Sequence, residues 1–339
     1  MPTTSHAEYD EHTEAVTVAA AFPSAIKGRT IVITGANKLG IGFTTAQALA
    51  SQGARRLILV GRSTTKVQEC IDALRSEYPD VDCRPLQADL SSQESVRKAA
   101  STLMAWEDVP AIDLLINNAG VMNIPERTLS PDGIEMHLAT NHVGHFLLAN
   151  LILPKLIAAA KNSARGFVRV INISSVGTAI KELPEHERPN QAILKGAGLP
   201  ADDDMIYSPM AAYGQSKTCN VLFSVGLNQH LYEKYGILSL AVHPGEMQSE
   251  LARHTDKRWL EKVTEARAAH GMFWKTLQEG ASTTLVAALD PKLEQPGSDG
   301  KGYFVSDCQI GGVQPYAVDE DIARKLWELS EGFVGEKFA

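Results

Sequence analysis

Thr30-Ile-Val-Ile-Thr34-Gly-Ala-Asn-Lys-Leu-Gly40-Ile-Gly42 decides the architecture of this 339-residue chain. The β-branched run to Thr34 predicts a strand, the glycines at 35, 40 and 42 a tight loop, and the Ala-rich pattern through Ala50 a helix. Glycine lets backbone approach a ligand closely, and a helix start offers free N–H groups at the positive end of its dipole. Strand, glycine loop and helix in this order form the entry to a dinucleotide-binding fold. A tight strand-to-helix turn carries the same glycines without a ligand, so the rest of the chain has to decide.

Outward from this stretch the alternation repeats. Leu57–Val60, Arg84–Ala88, Asp113–Ile116, Val168–Ile173, Leu238–Val242 and about Tyr303–Ser306 read as further strands. Residues 65–78, 92–106, about 133–161, a segment around Tyr213 and 318–333 read as helices. Short apolar strands alternating with helices predict an α/β, Rossmann-type, doubly wound parallel sheet of about seven strands. Residues 28–339 read as one domain without an internal repeat. Residues 1–27, mixed in charge with Pro2 and Pro23, read as a loosely held N-terminal arm.

Two segments break the rhythm. Some 35 residues ahead of Tyr213 carry Pro184, Pro189, Pro200, Pro209 and the acidic run Asp202–Asp204, and read as a long insertion beside the active site. Residues 246–275 contain Trp259, Met272, Phe273 and Trp274, which could wall a lipophilic pocket or simply fill core.

Composition excludes several function classes. Thirty-two Lys and Arg against 40 Asp and Glu give a net charge of −8, which argues against nucleic acid as a partner. Cys70, Cys83, Cys219 and Cys308 show no paired spacing and no secretory signal precedes them, so a reduced, cytoplasmic setting is expected. The apolar run Val143–Ala160 is interrupted by His145, Asn150, Pro154 and Lys155, so no membrane span is expected. Pro154 should bend this helix. His137, His142 and His145 lack the spacing of a zinc helix with a defined carboxylate, and no metal is expected.

Tyr213 and Lys217 stand four residues apart on a predicted helix and so share a face. A neighbouring cation favours tyrosinate, which makes the phenol usable for proton transfer; a solvated helix face would show the same spacing. At the end of the second strand the sequence reads Val60-Gly-Arg62-Ser63. With no carboxylate there and an arginine in reach, a ribose 2′-phosphate is favoured, hence NADP(H) over NAD(H).

In order, the Thr-Gly loop, Asp89-Leu90, Asn117-Asn-Ala-Gly120, Asn141, Asn172-Ile-Ser-Ser175, Tyr213-x-x-x-Lys217 and Pro244-Gly245 with Ser249 make the chain resemble the short-chain dehydrogenase/reductase family from about Gly28 onward. Gln278-Glu-Gly-Ala, Tyr303-Phe304 with Asp307-Cys308, and Arg324–Ser330 resemble its retinol-dehydrogenase-like branch and the fungal relatives of that branch. The resemblance implies Tyr213 as acid or base, Lys217 as its pKa-lowering neighbour and nicotinamide-ribose ligand, Ser175 on the substrate oxygen, and Asn141 holding a water on the proton path. It further implies cofactor contacts at Gly35, Asn37, Lys38, Leu39, Gly40, Ile41 and Gly42. The same is implied for Arg62, Asp89, Leu90, Asn118, Ala119, Gly120, Pro244, Gly245, Met247 and Ser249. Two departures are visible: four residues rather than three separate the first two glycines, and Ser249 stands where the family commonly has Thr.

The expected activity is reversible hydride transfer between NADP(H) and a carbonyl or secondary alcohol of a small, lipophilic molecule. The competing reading is an NADP(H)-binding sensor or non-redox cyclase. The apolar helices at 141–161 and 211–232 raise the expectation of a homodimer or homotetramer.

Overall fold

The computed structural model describes residues 4–176, 207–254, 258, 261, 264–265, 273–297 and 304–338. Pro184, Pro189, Pro200, Asp202–Asp204, Trp259, Met272 and Tyr303 lie outside the described residues.

Among the described residues eight strands form one sheet, in the order β3-β2-β1-β4-β5-β6-β7-β8. They are β1 (Thr30–Thr34), β2 (Arg56–Gly61), β3 (Asp82–Gln87), β4 (Leu114–Asn117), β5 (Arg169–Ile173), β6 (Leu238–His243), β7 (Phe304–Ser306) and β8 (Gln309–Ile310). All pairings are parallel except β7 with β8, a short antiparallel return that raises the expected seven strands to eight. Asp307 and Cys308 make that turn with φ of 48° and 61°. Every residue of β1 is buried, as befits a strand covered on both faces. Pro85 sits in β3, where the outer edge has no ladder bond to lose.

Among the described residues the α-helices are α1 (Ala15–Ala21), α2 (Ile41–Ser51), α3 (Thr64–Glu77), α4 (Gln93–Ala105), α5 (Met136–Leu138), α6 (Gly144–Leu151), α7 (Leu153–Ala160), α8 (Pro209–Tyr235), α9 (Leu277–Leu289) and α10 (Glu320–Val334). Between α5 and α6 the chain passes through a π-helical turn, Ala139–Val143. At Ile152, just ahead of Pro154, the path bends by 57°, as the proline requires. No single described helix is long and apolar enough to cross a membrane. Helix α8 has Ser208 as its N-cap, Pro209 in its first turn and Gly236 at φ 71° as its stop.

The sheet separates two cores. Val32, Ile58, Leu115 and Val170 face α4, α6, α8 and α10, whereas Ile31, Ile33, Leu57 and Leu59 face α1, α2, α3 and α9. The N-terminal segment is therefore not the loosely held arm its charge pattern suggests. Ala15, Val18, Ala19 and Ile26 are fully buried in the second core, and Ser5 holds Asp290 through two hydrogen bonds of 2.6 Å. The small residues of α1 let it lie closely against α9. The apolar outer faces of α6 and α8 are also covered within the chain, because Trp327 of α10 packs on Phe146 at 5.0 Å and Phe223 at 6.1 Å.

Candidate active site

A cavity of about 950 Å³ opens at the carboxyl ends of β1, β2, β4, β5 and β6, on either side of the point where strand order reverses. Gly35, with φ of 76°, starts it: a Cβ there would stand 2.6 Å from Ala119 Cα, so only glycine lets β1 and β4 deliver their loops side by side. Gly40 abuts the Asn37 side chain, whose amide oxygen is buried without a partner among the described residues. Gly42 and Lys38 do not line the cavity. Gly42 instead permits close packing, since a Cβ would meet Asn118 Nδ2 at 2.5 Å, and Lys38 is exposed on the loop.

Thr34 is the hub of this end. Its hydroxyl accepts the N–H groups of Asn118 and Ala119 at 2.9 and 3.0 Å and lies 2.8 Å from His145 Nε2. Asn118 Nδ2 donates back to the Thr34 carbonyl at 2.7 Å. Further along the rim stand Arg62, Ser63 and Lys66, then Asp89 and Leu90. Lys66 is bound by both oxygens of Glu250 at 2.9 and 2.8 Å, a bridge between α3 and the segment after Ser249.

At the other end stand Ser175, Tyr213 and Lys217. Lys217 Nζ is 5.7 Å from the Tyr213 ring centre and donates to the Ile173 carbonyl at 2.9 Å. The Ser174 hydroxyl is spent on the Lys217 carbonyl at 2.7 Å, which ties β5 to α8, while the Ser175 hydroxyl bonds the Tyr213 phenol. The second serine of the pair is thus the one that meets Tyr213 in the cavity. Burial acts against the lowering of the phenol pKa expected from Lys217. Burial pushes Tyr213 up to about 12, opposed only by the Ser175 hydrogen bond, and burial also pushes Lys217 down to about 8.

Asn141 is fully buried in the π-helical turn and does not line the cavity. Its side chain clasps Val121, accepting the N–H at 2.8 Å and donating to the carbonyl at 3.0 Å, with a further donation to Ser216 Oγ at 2.9 Å. Pro244, Gly245, Met247 and Ser249 complete the far wall. Behind them Lys275 bonds Asp307 at 2.5 Å and packs so tightly that a Cβ on Gly245 would lie 2.4 Å from its Cδ. Gly120, Ala119, Asn118, Ile41, Leu39 and Asn37 also line the cavity. Thr34, His145, Lys66 with Glu250, and Lys275 with Asp307 escape the sequence reading because each acts through a partner distant in the chain. The polar Thr34 at the end of an apolar strand, and a lysine one turn beyond Arg62, were the available signals.

The three histidines are dispersed. His137 meets Glu135, His142 meets Ser330 and His145 meets Thr34; among the described residues no cluster could hold a metal ion. Burial holds His142 neutral, with its pKa pushed down to about 3. The unfolded chain takes up a proton below about pH 6.5 but the fold does not, so this stability is present above 6.5 and lost progressively as pH falls toward 3. Between pH 7 and pH 5 a His142→Gln variant should lose about 2 kcal/mol less than the parent in urea unfolding. Equal losses would remove His142 from the acid response.

Comparison with known proteins agrees with this geometry. The family model described as short chain dehydrogenase matches residues 29–184. Retinol dehydrogenase 11 of Homo sapiens is 35% identical over 311 residues, covering 91% of this chain and 87% of that protein. An uncharacterized protein from Mycobacterium paratuberculosis superposes with a TM-score of 0.67 at 31% identity, covering 95% and 98% of the two chains. The RhlG/NADP active-site complex of Pseudomonas aeruginosa does so with a TM-score of 0.59 at 25% identity, covering 83% and 95%. The chain belongs to the short-chain dehydrogenase/reductase family of oxidoreductases, in its retinol-dehydrogenase-like branch.

Proposed function

We propose that the protein is an NADP(H)-dependent reductase of a ketone or aldehyde on a lipophilic small molecule. The observation that carries this reading is the Tyr213 phenol, bonded to Ser175 and beside Lys217, in one cavity with the glycine loop and Arg62.

The residues present fit a nicotinamide dinucleotide. The cradle at Gly35 and Gly40 excludes side chains, and the Asn37 amide is left for a ligand. Arg62 and Ser63 would hold a 2′-phosphate, Asp89 and Leu90 the adenine side, and Lys217 with Pro244–Ser249 the nicotinamide side. When bound, the cofactor supplies or accepts the hydride. Ser175 and Tyr213 converge on the substrate oxygen, and Tyr213 gives it a proton as negative charge develops there. Burial disfavours the tyrosinate, so the phenol holds the proton it would give to the substrate oxygen. Lys217, held by the Ile173 carbonyl, keeps a cation behind the ring. Val176 and Met210 are exposed apolar residues that line the cavity near Ser175 and Tyr213, which supports a lipophilic substrate, as does the human relative's name.

Four free, buried cysteines support a reducing compartment such as the cytoplasm. The cover that α10 lays over α6 and α8 supports a monomer rather than the homodimer or homotetramer first expected.

The deciding experiment is a panel of ketones and aldehydes assayed with NADPH and NADH in parallel. No turnover of any carbonyl despite tight NADPH binding would return the sensor or cyclase reading. Arg62→Leu should cut kcat/KM for NADPH by about 10- to 150-fold while leaving NADH within about twofold, since a charge-assisted phosphate contact is lost only with the former. Better use of NADH by the parent enzyme would refute the Arg62 argument.

A further inference from the structure

Three polar side chains outside the redox machinery converge beside the cavity. Glu135 and His137 are buried, and Tyr207 stands two residues ahead of α8. Glu135 Oε1 lies 2.7 Å from His137 Nδ1, and its other oxygen accepts the Leu138 N–H at 2.9 Å. A carboxylate only accepts, so Nδ1 carries the imidazole proton and Nε2 presents its lone pair. That lone pair accepts the Ile124 N–H at 3.3 Å, and the Tyr207 hydroxyl donates to the Ile124 carbonyl at 3.2 Å. Both main-chain groups of Ile124 are therefore held by side chains.

Ile124 closes a cavity wall that begins at Val121, whose N–H and carbonyl are both held by Asn141. Between the two anchors Asn123 takes φ of 55°, in the left-handed region that side chains enter at a cost and that persists only where the flanks hold it. The anchors also differ in origin. Asn141 comes from the π-helical turn, whereas Tyr207 comes from the entry to the helix that carries Tyr213. The edge of the His137 ring meets Tyr213 at 6.3 Å between ring centres, so the clasp and the phenol share one packing unit.

We propose that Glu135, His137 and Tyr207 are positioning residues that fix the wall 121–124 relative to Tyr213 and thereby determine which carbonyl compounds fit. This rests on the reductase reading above. The phenol position is then set by α8 while the opposing wall is set by a fixed imidazole tautomer, so losing one hydrogen bond loosens the substrate's surroundings without touching the cofactor loop.

The test uses the full chain. In the parent protein, nitrogen-15 NMR should show the His137 imidazole protonated at Nδ1. Tyr207→Phe should raise KM for the best carbonyl of the panel by about three- to tenfold, the size of one such hydrogen bond, with KM for NADPH and kcat within about twofold. Amide hydrogen exchange at Ile124 should accelerate by a similar factor. Glu135→Gln should shift the His137 nitrogen signals toward the other tautomer and reproduce the KM effect. An Nε2-protonated imidazole in the parent, unchanged exchange at Ile124 in Tyr207→Phe, or parallel rises in both KM values would overturn the proposal. If the parent reduces no carbonyl at all, the reductase reading fails on its own, and the tautomer and Ile124 exchange still decide the clasp.

Discussion

Tyr213→Phe is expected to lose about 10²- to 10⁴-fold of turnover with NADPH and a carbonyl substrate, the range a positioned acid supplies, while NADPH affinity stays within about twofold. The phenol is 5% exposed and bonded to Ser175, so the substitution removes a proton donor from an enclosed place that admits no ready substitute. The aromatic body is retained, and with it the packing on His137 and the ring face near Lys217 Nζ. The cofactor loop, hung on Thr34 and Asn118, is untouched. Stopped-flow turnover and a fluorescence titration with NADPH separate the two quantities. Undiminished turnover would remove Tyr213 from the mechanism, and loss of NADPH binding in step with turnover would make it a scaffold residue.

Trp327→Ala is expected to cost about 3–5 kcal/mol of folding stability, the range for emptying a buried aromatic site. Trp327 is 5% exposed, stacks on His230 at 4.0 Å, meets Phe146 edge to face and Phe223 at a tilt, and donates its indole N–H to Glu331 at 3.2 Å. Gly226 is shaped to receive it, since a Cβ there would lie 3.1 Å from the indole. A native domain is stable by only about 5–15 kcal/mol, so this loss is a large share of the total. Urea unfolding measures it. Sedimentation of the variant also shows whether the uncovered α6–α8 face then recruits a second copy. A change below about 1 kcal/mol would mean that α10 merely rests on that face.

The positions of the strands were legible because a parallel sheet buried on both faces needs near-continuous apolar runs, and Ile31-Val-Ile33 and Leu57-Ile-Leu-Val60 are such runs. The bend ahead of Pro154 was legible because proline removes a donor wherever it stands. Arg62 could be placed at the cavity rim because it follows β2 directly. By contrast, the mixed-charge start of the chain concealed the buried stripe Ala15, Val18, Ala19 and Phe22, which is too short to stand out as a period. Nothing local to Asn141 revealed a π-helical turn or a clasp on Val121. The bridge from Lys66 to Glu250 and the cover of α10 over Phe146 join residues far apart in the chain.

By itself the sequence determined that Tyr213 and Lys217 share a helical face, that a glycine loop joins β1 to α2, and that strands and helices alternate around one sheet. These features depend on periods of 2 and 3.6 residues and on single-residue stereochemistry, which act over a few positions. Only the tertiary structure decided that the Tyr213 phenol is bonded to Ser175, that burial disfavours both the tyrosinate and the Lys217 ammonium, and that Ile124 is gripped by His137 and Tyr207. Desolvation and hydrogen bonding depend on every group packed around a site, and most of those groups arrive from elsewhere in the chain.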